Sequence, residues 1–202
     1  MSSELWVATT NRDKFREIKE LLKPVSIEVH SASEIPNYSA PPETEETFLE
    51  NARIKARFLK AMKPQSWILS DDSGLEVTSL KNLPGVHSAR YAGANARDIE
   101  NVSKVLKAIQ LQTNGLDRSA QFRCVLVLLS PAGEEKVFEG LLKGTISRDM
   151  RGRGGFGYDP IFVPEGETKT LAELGLAVKN RLSHRFIAVK LAREFLASSL
   201  TK

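Results

Sequence analysis

An α/β fold with a mixed sheet is the class this sequence predicts, on three observations. Short apolar runs bounded by turn residues alternate with amphipathic stretches of helical period. Two long strand-like runs, Ser119–Ser130 and Glu135–Thr145, are separated by Pro131-Ala132-Gly133 and read as an antiparallel hairpin. No repeat, low-complexity tract or linker interrupts the 202 residues, so residues 1–202 read as one domain.

Leu5–Thr9 is an apolar, strand-forming run that leads into Asn11, a good helix cap, and then into Phe15, Ile18 and Leu22 at helical spacing. Ile27 and Val29 alternate with Glu28 and His30 as a second strand. Pro36, Pro41 and Pro42 make the stretch from Ser31 to Glu43 a loop. A helix from about Glu45 to Met62 follows, with Glu43, Glu45 and Glu46 at its positive end and Pro64 beyond it. Trp67–Leu69 is a strand that meets Asp71-Asp72-Ser73-Gly74, after which Leu75 and Val77 alternate again. Asn82–Asn95 is a loop, and Ile99, Val102, Leu106 and Ile109 mark a third helix. After the hairpin come a glycine-rich loop (Arg151–Pro160), a short strand (Ile161–Val163) and a last amphipathic helix from about His184 to Leu196.

Composition narrows the classes of function. Hydrophobic residues at 41% and charged residues at 27% are a globular mix, which argues against disorder. The net charge of +4 suits an anionic ligand but is too small and scattered to indicate nucleic acid. A single cysteine, Cys124, excludes an intrachain disulfide and any multi-cysteine metal site. The longest apolar run, Cys124–Leu129, falls far short of the ~20 residues of a membrane helix. Without a secretory pattern before Asp13, a soluble cytoplasmic protein with no membrane partner is expected.

Four segments carry residues that a fold alone would not choose. Thr9-Thr10-Asn11-Arg12-Asp13-Lys14 turns from a strand into a helix, where free amides and the positive dipole end suit an anion; a plain capped helix would also explain it. In the helix over 45–62, Asn51 and Lys55 fall within the apolar stripe of Phe48, Ala52, Ala56 and Leu59. A lysine there meets a counter-charge, lines a cleft, or snorkels out along its stem. Asp71 and Asp72 follow a strand, where ligand sites of α/β sheets form, and with Glu43 or Glu46 they offer oxygen ligands for Mg²⁺; the same four residues also make a good turn. Gly152–Pro160 embeds Phe156 and Tyr158 among four glycines, as a loop that presents flat surfaces to a base would. Ser183-His184-Arg185 adds donors at the start of the final helix, and Cys124 reads as core.

These segments, written ATTNRDKFREI, ETFLENARIKA, SDDSGLEV, LPGVHSARYAG, GGFGYDPIF and LSHR, occur in one order and spacing that resembles the inosine triphosphate pyrophosphatase family, from Leu5 to Arg185. The resemblance implies a long, twisted mixed sheet flanked by helices, two lobes with a central substrate cleft, and a homodimer. It implies Mg²⁺-dependent hydrolysis of noncanonical purine nucleoside triphosphates (ITP, dITP, XTP) to the monophosphate and pyrophosphate.

Residue by residue, it implies that Thr9, Thr10, Asn11, Arg12, Asp13 and Lys14 bind the triphosphate together with Lys55. Glu43 and Asp72 would hold Mg²⁺, with Asp72 also the general base, and Ser73 would touch substrate. Phe156 would stack on the purine beside Gly157, Tyr158 and Asp159, while Lys179, His184 and Arg185 would read the base and its 6-oxo group. Thr10 and Arg153 depart from the residues common in the family without removing any of these groups. A pyrophosphatase for other modified nucleotides on the same scaffold, and a non-catalytic RNA-binding domain, are the alternatives. The acidic pair and the lack of a concentrated basic face count against RNA.

Overall fold

Strand β1 (Glu4–Val7) sends Leu5 and Val7 to one face and Trp6 to the other, and both faces are buried. The computed structural model describes residues 4–113 and 116–200. Along the chain follow α1 (Arg12–Leu22), β2 (Glu28–Ser31), α2 (Phe48–Met62), β3 (Trp67–Val77), α3 (Asp98–Thr113), β4 (Ser119–Leu129), β5 (Glu135–Ile146), β6 (Phe162–Pro164), α4 (Leu171–Leu174), α5 (Leu176–Leu182) and α6 (His184–Leu200). The strands are hydrogen-bonded in the order β2-β1-β3-β4-β5-β6. β1 is parallel to β2 and β3, and β6 is antiparallel to β5, so the α/β fold has a mixed sheet as expected.

The chain divides into two compact units. The first holds residues 1–72, 124–140 and 185–202, and the second holds 73–123 and 141–184. In the first, the alternation of β1 and β3 builds two apolar layers. Leu5, Val7, Trp67 and Leu69 join Cys124, Leu126 and Leu128 of β4 against Ile18 and Leu22 of α1 and Ala188, Ala192 and Leu196 of α6. Trp6, Ala8, Ile68, Val127 and Leu129 pack on Ala52, Ala56 and Leu59 of α2. In the second unit, Leu75, Val77, Ala120, Phe122, Ile146 and Phe162 form a core with Val102, Val105 and Ile109 of α3.

Several boundaries differ from the sequence reading. The Asp71-Asp72-Ser73-Gly74 segment is uninterrupted strand within the eleven residues of β3 and makes no turn. Helix α2 starts at Phe48, because Thr47 caps it by accepting from the Glu50 amide. Asn51, inside the apolar stripe, accepts from the Glu45 amide and donates to the Glu45 carbonyl, tying the preceding loop to the helix. The loop over 82–95 contains a 3₁₀ helix, Gly85–Arg90. Helices α4 and α5, separated by Gly175 at φ 79°, are too short to show a period in sequence. No described helix is long and apolar enough to cross a membrane.

Candidate active site

The turn from β1 into α1 is set by Asn11, whose side chain accepts from the Asp13 and Lys14 amides while its own amide donates to Thr9 Oγ1. Thr9 is buried, and Thr10, Asn11 and Arg12 are exposed. Among the described residues, no acceptor takes up the backbone amides of Thr10 and Arg12. Two outward donors at a positive helix end are suited to an anion. Asp13 accepts from Arg16, and Lys14 Nζ reaches Asp71 Oδ1 at 2.6 Å.

The period of a strand separates the two adjacent aspartates. Asp71 follows Trp67 and Leu69 toward α1 and α6, whereas Asp72 follows Ile68 and Ser70 toward α2, where Ser70 Oγ donates to the Ala52 carbonyl. They do not form the joint metal-binding pair that their adjacency suggested. Asp71 Oδ2 accepts from Arg185 Nε at 3.0 Å and from the Cys124 thiol at 3.2 Å. Arg185 Nη1 in turn donates to Glu17 Oε2 at 2.6 Å. Burial would raise the Asp71 pKa, but Arg185 and Lys14 outweigh it and hold the carboxyl well below its ordinary range. Burial, and then the Asp71 carboxylate, push the Cys124 thiol well up, so it stays protonated.

On the opposite face Lys55, buried on α2, donates to Asp72 Oδ1 and Glu43 Oε1, both at 2.8 Å. It meets counter-charges and does not snorkel. Burial lowers its pKa, yet Asp72 and Glu43 outweigh this and leave it above the lysine value. Burial is also the largest influence on Asp72; with Glu43 nearby it outweighs Lys55 and Lys14, and the pKa is pushed up to about 6. Asp72 Oδ2 is buried and has no hydrogen-bond partner among the described residues. An orphaned carboxylate oxygen beside a second carboxylate fits a hard, oxygen-seeking cation. Among the described residues no three His, Cys, Asp or Glu side chains converge as a full cage. Two carboxylates suffice for Mg²⁺, which takes its remaining ligands from water and phosphate.

The second unit holds the other expected residues. Gly155 (φ 75°) and Gly157 (φ 61°) bracket Phe156, and a Cβ on Gly155 would collide with Asp159 Oδ2. That oxygen accepts from the Phe156 amide at 2.9 Å and from Lys179 Nζ at 2.6 Å. Lys179 Nζ stands 4.1 Å from the centroid of the half-buried Phe156 ring. The Gly157 amide donates to Asp98 Oδ2. Tyr158, expected beside Phe156 in the base wall, is packed in the core of this unit with its hydroxyl donating to the Ser88 carbonyl. His184 is buried and stacks on Phe122 with centroids 4.7 Å apart, and Ser73 is half-buried in β3. Arg185 belongs to the first unit, with its guanidinium engaged by Asp71 and Glu17.

Sequence reasoning missed Glu17 and Asp98. Glu17 carried a signal, since with Lys14 and Ile18 it lies on the apolar face of α1. Asp98 opens α3 and looks like an ordinary acidic first-turn residue.

A model of the Ham1 family matches residues 5–195. The chain belongs to the Ham1 family. Among its relatives, the dITP/XTP pyrophosphatase of Bdellovibrio bacteriovorus is 50% identical over 188 residues, covering 93% of this chain and 94% of that protein. The dITP/XTP pyrophosphatase of Protochlamydia amoebophila is 43% identical, covering 96% and 97%. The solved Ham1 protein of Coxiella burnetii superposes with a TM-score of 0.88 at 39% identity, covering 97% of this chain and 99% of that one. The Staphylococcus aureus Ham1 protein does so at 0.85 and 39%, covering 98% and 100%. The family match therefore covers residues of both units.

Proposed function

We propose that this Ham1 protein hydrolyses noncanonical purine nucleoside triphosphates (ITP, dITP, XTP) to the monophosphate and pyrophosphate, with Mg²⁺ as cofactor and as a homodimer. The observation that carries this is the buried Lys55 ammonium shared by Glu43 and Asp72, with one Asp72 oxygen left unpartnered. Relatives named dITP/XTP pyrophosphatases support this substrate class.

The charge balance supports a metal. Lys14, Lys55 and Arg185 face Glu17, Glu43, Asp71 and Asp72, so the cluster by itself has no excess positive charge for a triphosphate. Glu43 and Asp72 would hold Mg²⁺, which when bound neutralises phosphate charge and favours attack at phosphorus. The chain's own groups do the rest. The Thr10 and Arg12 amides and Lys14 bind phosphate oxygens, and Lys55 orients Asp72 while adding positive charge. Asp72, in its ionised form, accepts the proton of the water that attacks the α-phosphorus, and pyrophosphate departs.

Phe156 stacks on the purine and Lys179, fixed by Asp159, backs the ring. Donors from Lys179 and the start of α6 at His184 select the 6-oxo group. Adenine would set an amino group against those donors, and a buried donor left unpaired costs about 1–3 kcal/mol. Hydrolysis of ITP in heavy-oxygen water tests the chemistry: the label is expected in the monophosphate, and label in pyrophosphate would refute attack at the α-phosphorus.

A further inference from the structure

We propose that Ser31, at the end of the edge strand β2, is a positioning residue that aims the Thr10 amide at the phosphate chain of the substrate. This rests on reading the β1–α1 turn as the phosphate site. Ser31 is buried and lies across from Val7 in the pairing of β1 with β2. Its Oγ donates to the Thr9 carbonyl at 3.2 Å. The same oxygen meets the Ser33 amide at 3.2 Å and Ser33 Oγ at 2.6 Å. A serine hydroxyl has one proton and two lone pairs. The arrangement that fills all three has Ser33 donating twice and the Ser31 proton committed to Thr9.

That commitment fixes a peptide plane. The Thr9 carbonyl and the Thr10 amide belong to one trans peptide unit and point in opposite directions. Holding the carbonyl inward on the buried Ser31 therefore turns the Thr10 N–H outward, where Thr10 is exposed. The next amide, that of Asn11, is turned back onto Thr9 Oγ1 and does not compete for an anion. Ser31 is itself held from the other side. Its amide donates to Glu34 Oε1 at 2.8 Å, closing a capping box over the 3₁₀ turn Ala32–Glu34, and Glu34 Oε2 meets His30 Nδ1 at 3.0 Å. The Thr10 donor is thus set before an anion arrives, and its orientation need not be fixed at the expense of binding. Without the hydroxyl, the carbonyl of the buried Thr9 loses this donor and the peptide can rotate away.

Pyrophosphate, which carries no base and is the leaving group of the proposed reaction, isolates the phosphate contacts. Ser31→Thr and Ser31→Val are matched in bulk and differ in the hydroxyl. Ser31→Val should bind pyrophosphate, with Mg²⁺ present, about three- to tenfold more weakly than Ser31→Thr. Relative to Ser31→Thr it should also lower kcat/KM for ITP and for ATP by one common factor, mostly through KM. Ser31→Ala adds no methyl group to the buried site and should show the same loss against wild type. Equal affinities with and without the hydroxyl, with only the melting temperature changed, would overturn the proposal and leave Ser31 a structural residue. The Thr10 amide proton gives a second readout by NMR. In wild type it should move downfield when pyrophosphate and Mg²⁺ are added, and in Ser31→Ala it should move less. Equal movement in both would overturn the role of Ser31 while keeping the turn as the phosphate site. Binding that leaves the wild-type Thr10 signal in place would instead remove that turn as the phosphate site, and this inference with it.

Discussion

Asp72 and Asp71 are neighbours in sequence with opposite electrostatics, and each gives a signed pH dependence. With the Asp72 carboxyl at about 6, above its unfolded value of 3.8, the folded metal-free protein holds the extra proton between those values. Its stability contribution should therefore rise as pH falls from 7 to 4. Asp71 is shifted the other way, so its contribution is fully present above the unfolded value and is lost as pH falls below it, toward a folded pKa well beneath. Urea titrations of wild type and Asp72→Asn across pH 4–8 check the first sign, since the variant should lack that rise.

In turnover, kcat/KM should fall as pH drops into the acid range, because the base must be ionised, and Mg²⁺ on Glu43 and Asp72 should place that limb below the metal-free value of about 6. Lys55→Met removes the cation that lowers the Asp72 pKa, so the acidic limb of its pH–rate profile should move upward from wild type. Asp72→Asn should cut kcat by about 10²–10⁴-fold and melt no lower than wild type at pH 8. Near-normal turnover in that variant would remove Asp72 as the base.

At the scale of the element, β3 decides what each aspartate does. Both faces of the strand are covered, by α1 and α6 on one side and α2 on the other, so its alternation delivers one carboxylate to each layer. The turn that Asp-Asp-Ser-Gly favours locally is overridden by those two packed faces and by the cations waiting on each. Propensity alone could not show this, because it depends on which helices lie where. The loop of the second unit is legible for the opposite reason. Gly155 sits at φ 75° with no room for a Cβ, and the sequence marks the position by a glycine beside an aromatic. Gly155→Ala should destabilise the protein by about 1–3 kcal/mol and should lower discrimination between ITP and ATP. Calorimetry with paired kcat/KM values checks both, and an unaltered preference would show that Phe156 needs no such turn.

Across the whole molecule, the strands and long helices were readable because their periods are strong, as in Leu5–Val7, β4 and α2. Lys55 stood out as a charge in an apolar stripe, and its two carboxylate partners explain it. Less legible were relations that need three dimensions. Glu17 and Arg185 are far apart in sequence and meet only through packing of α1 against α6, and the burial of the Tyr158 ring depends on the core of its unit. Sedimentation equilibrium should give twice the monomer mass, and a monomer at all concentrations would refute the proposed homodimer.

The most direct measurement is release of pyrophosphate and monophosphate from ITP, dITP, XTP, ATP and GTP, with Mg²⁺ and with EDTA. Rapid, Mg²⁺-dependent release from ITP, dITP and XTP, with little from ATP or GTP, is the predicted result. Equal turnover of all five would contradict selection of the base, and no turnover of any by folded protein would contradict the proposed hydrolysis itself.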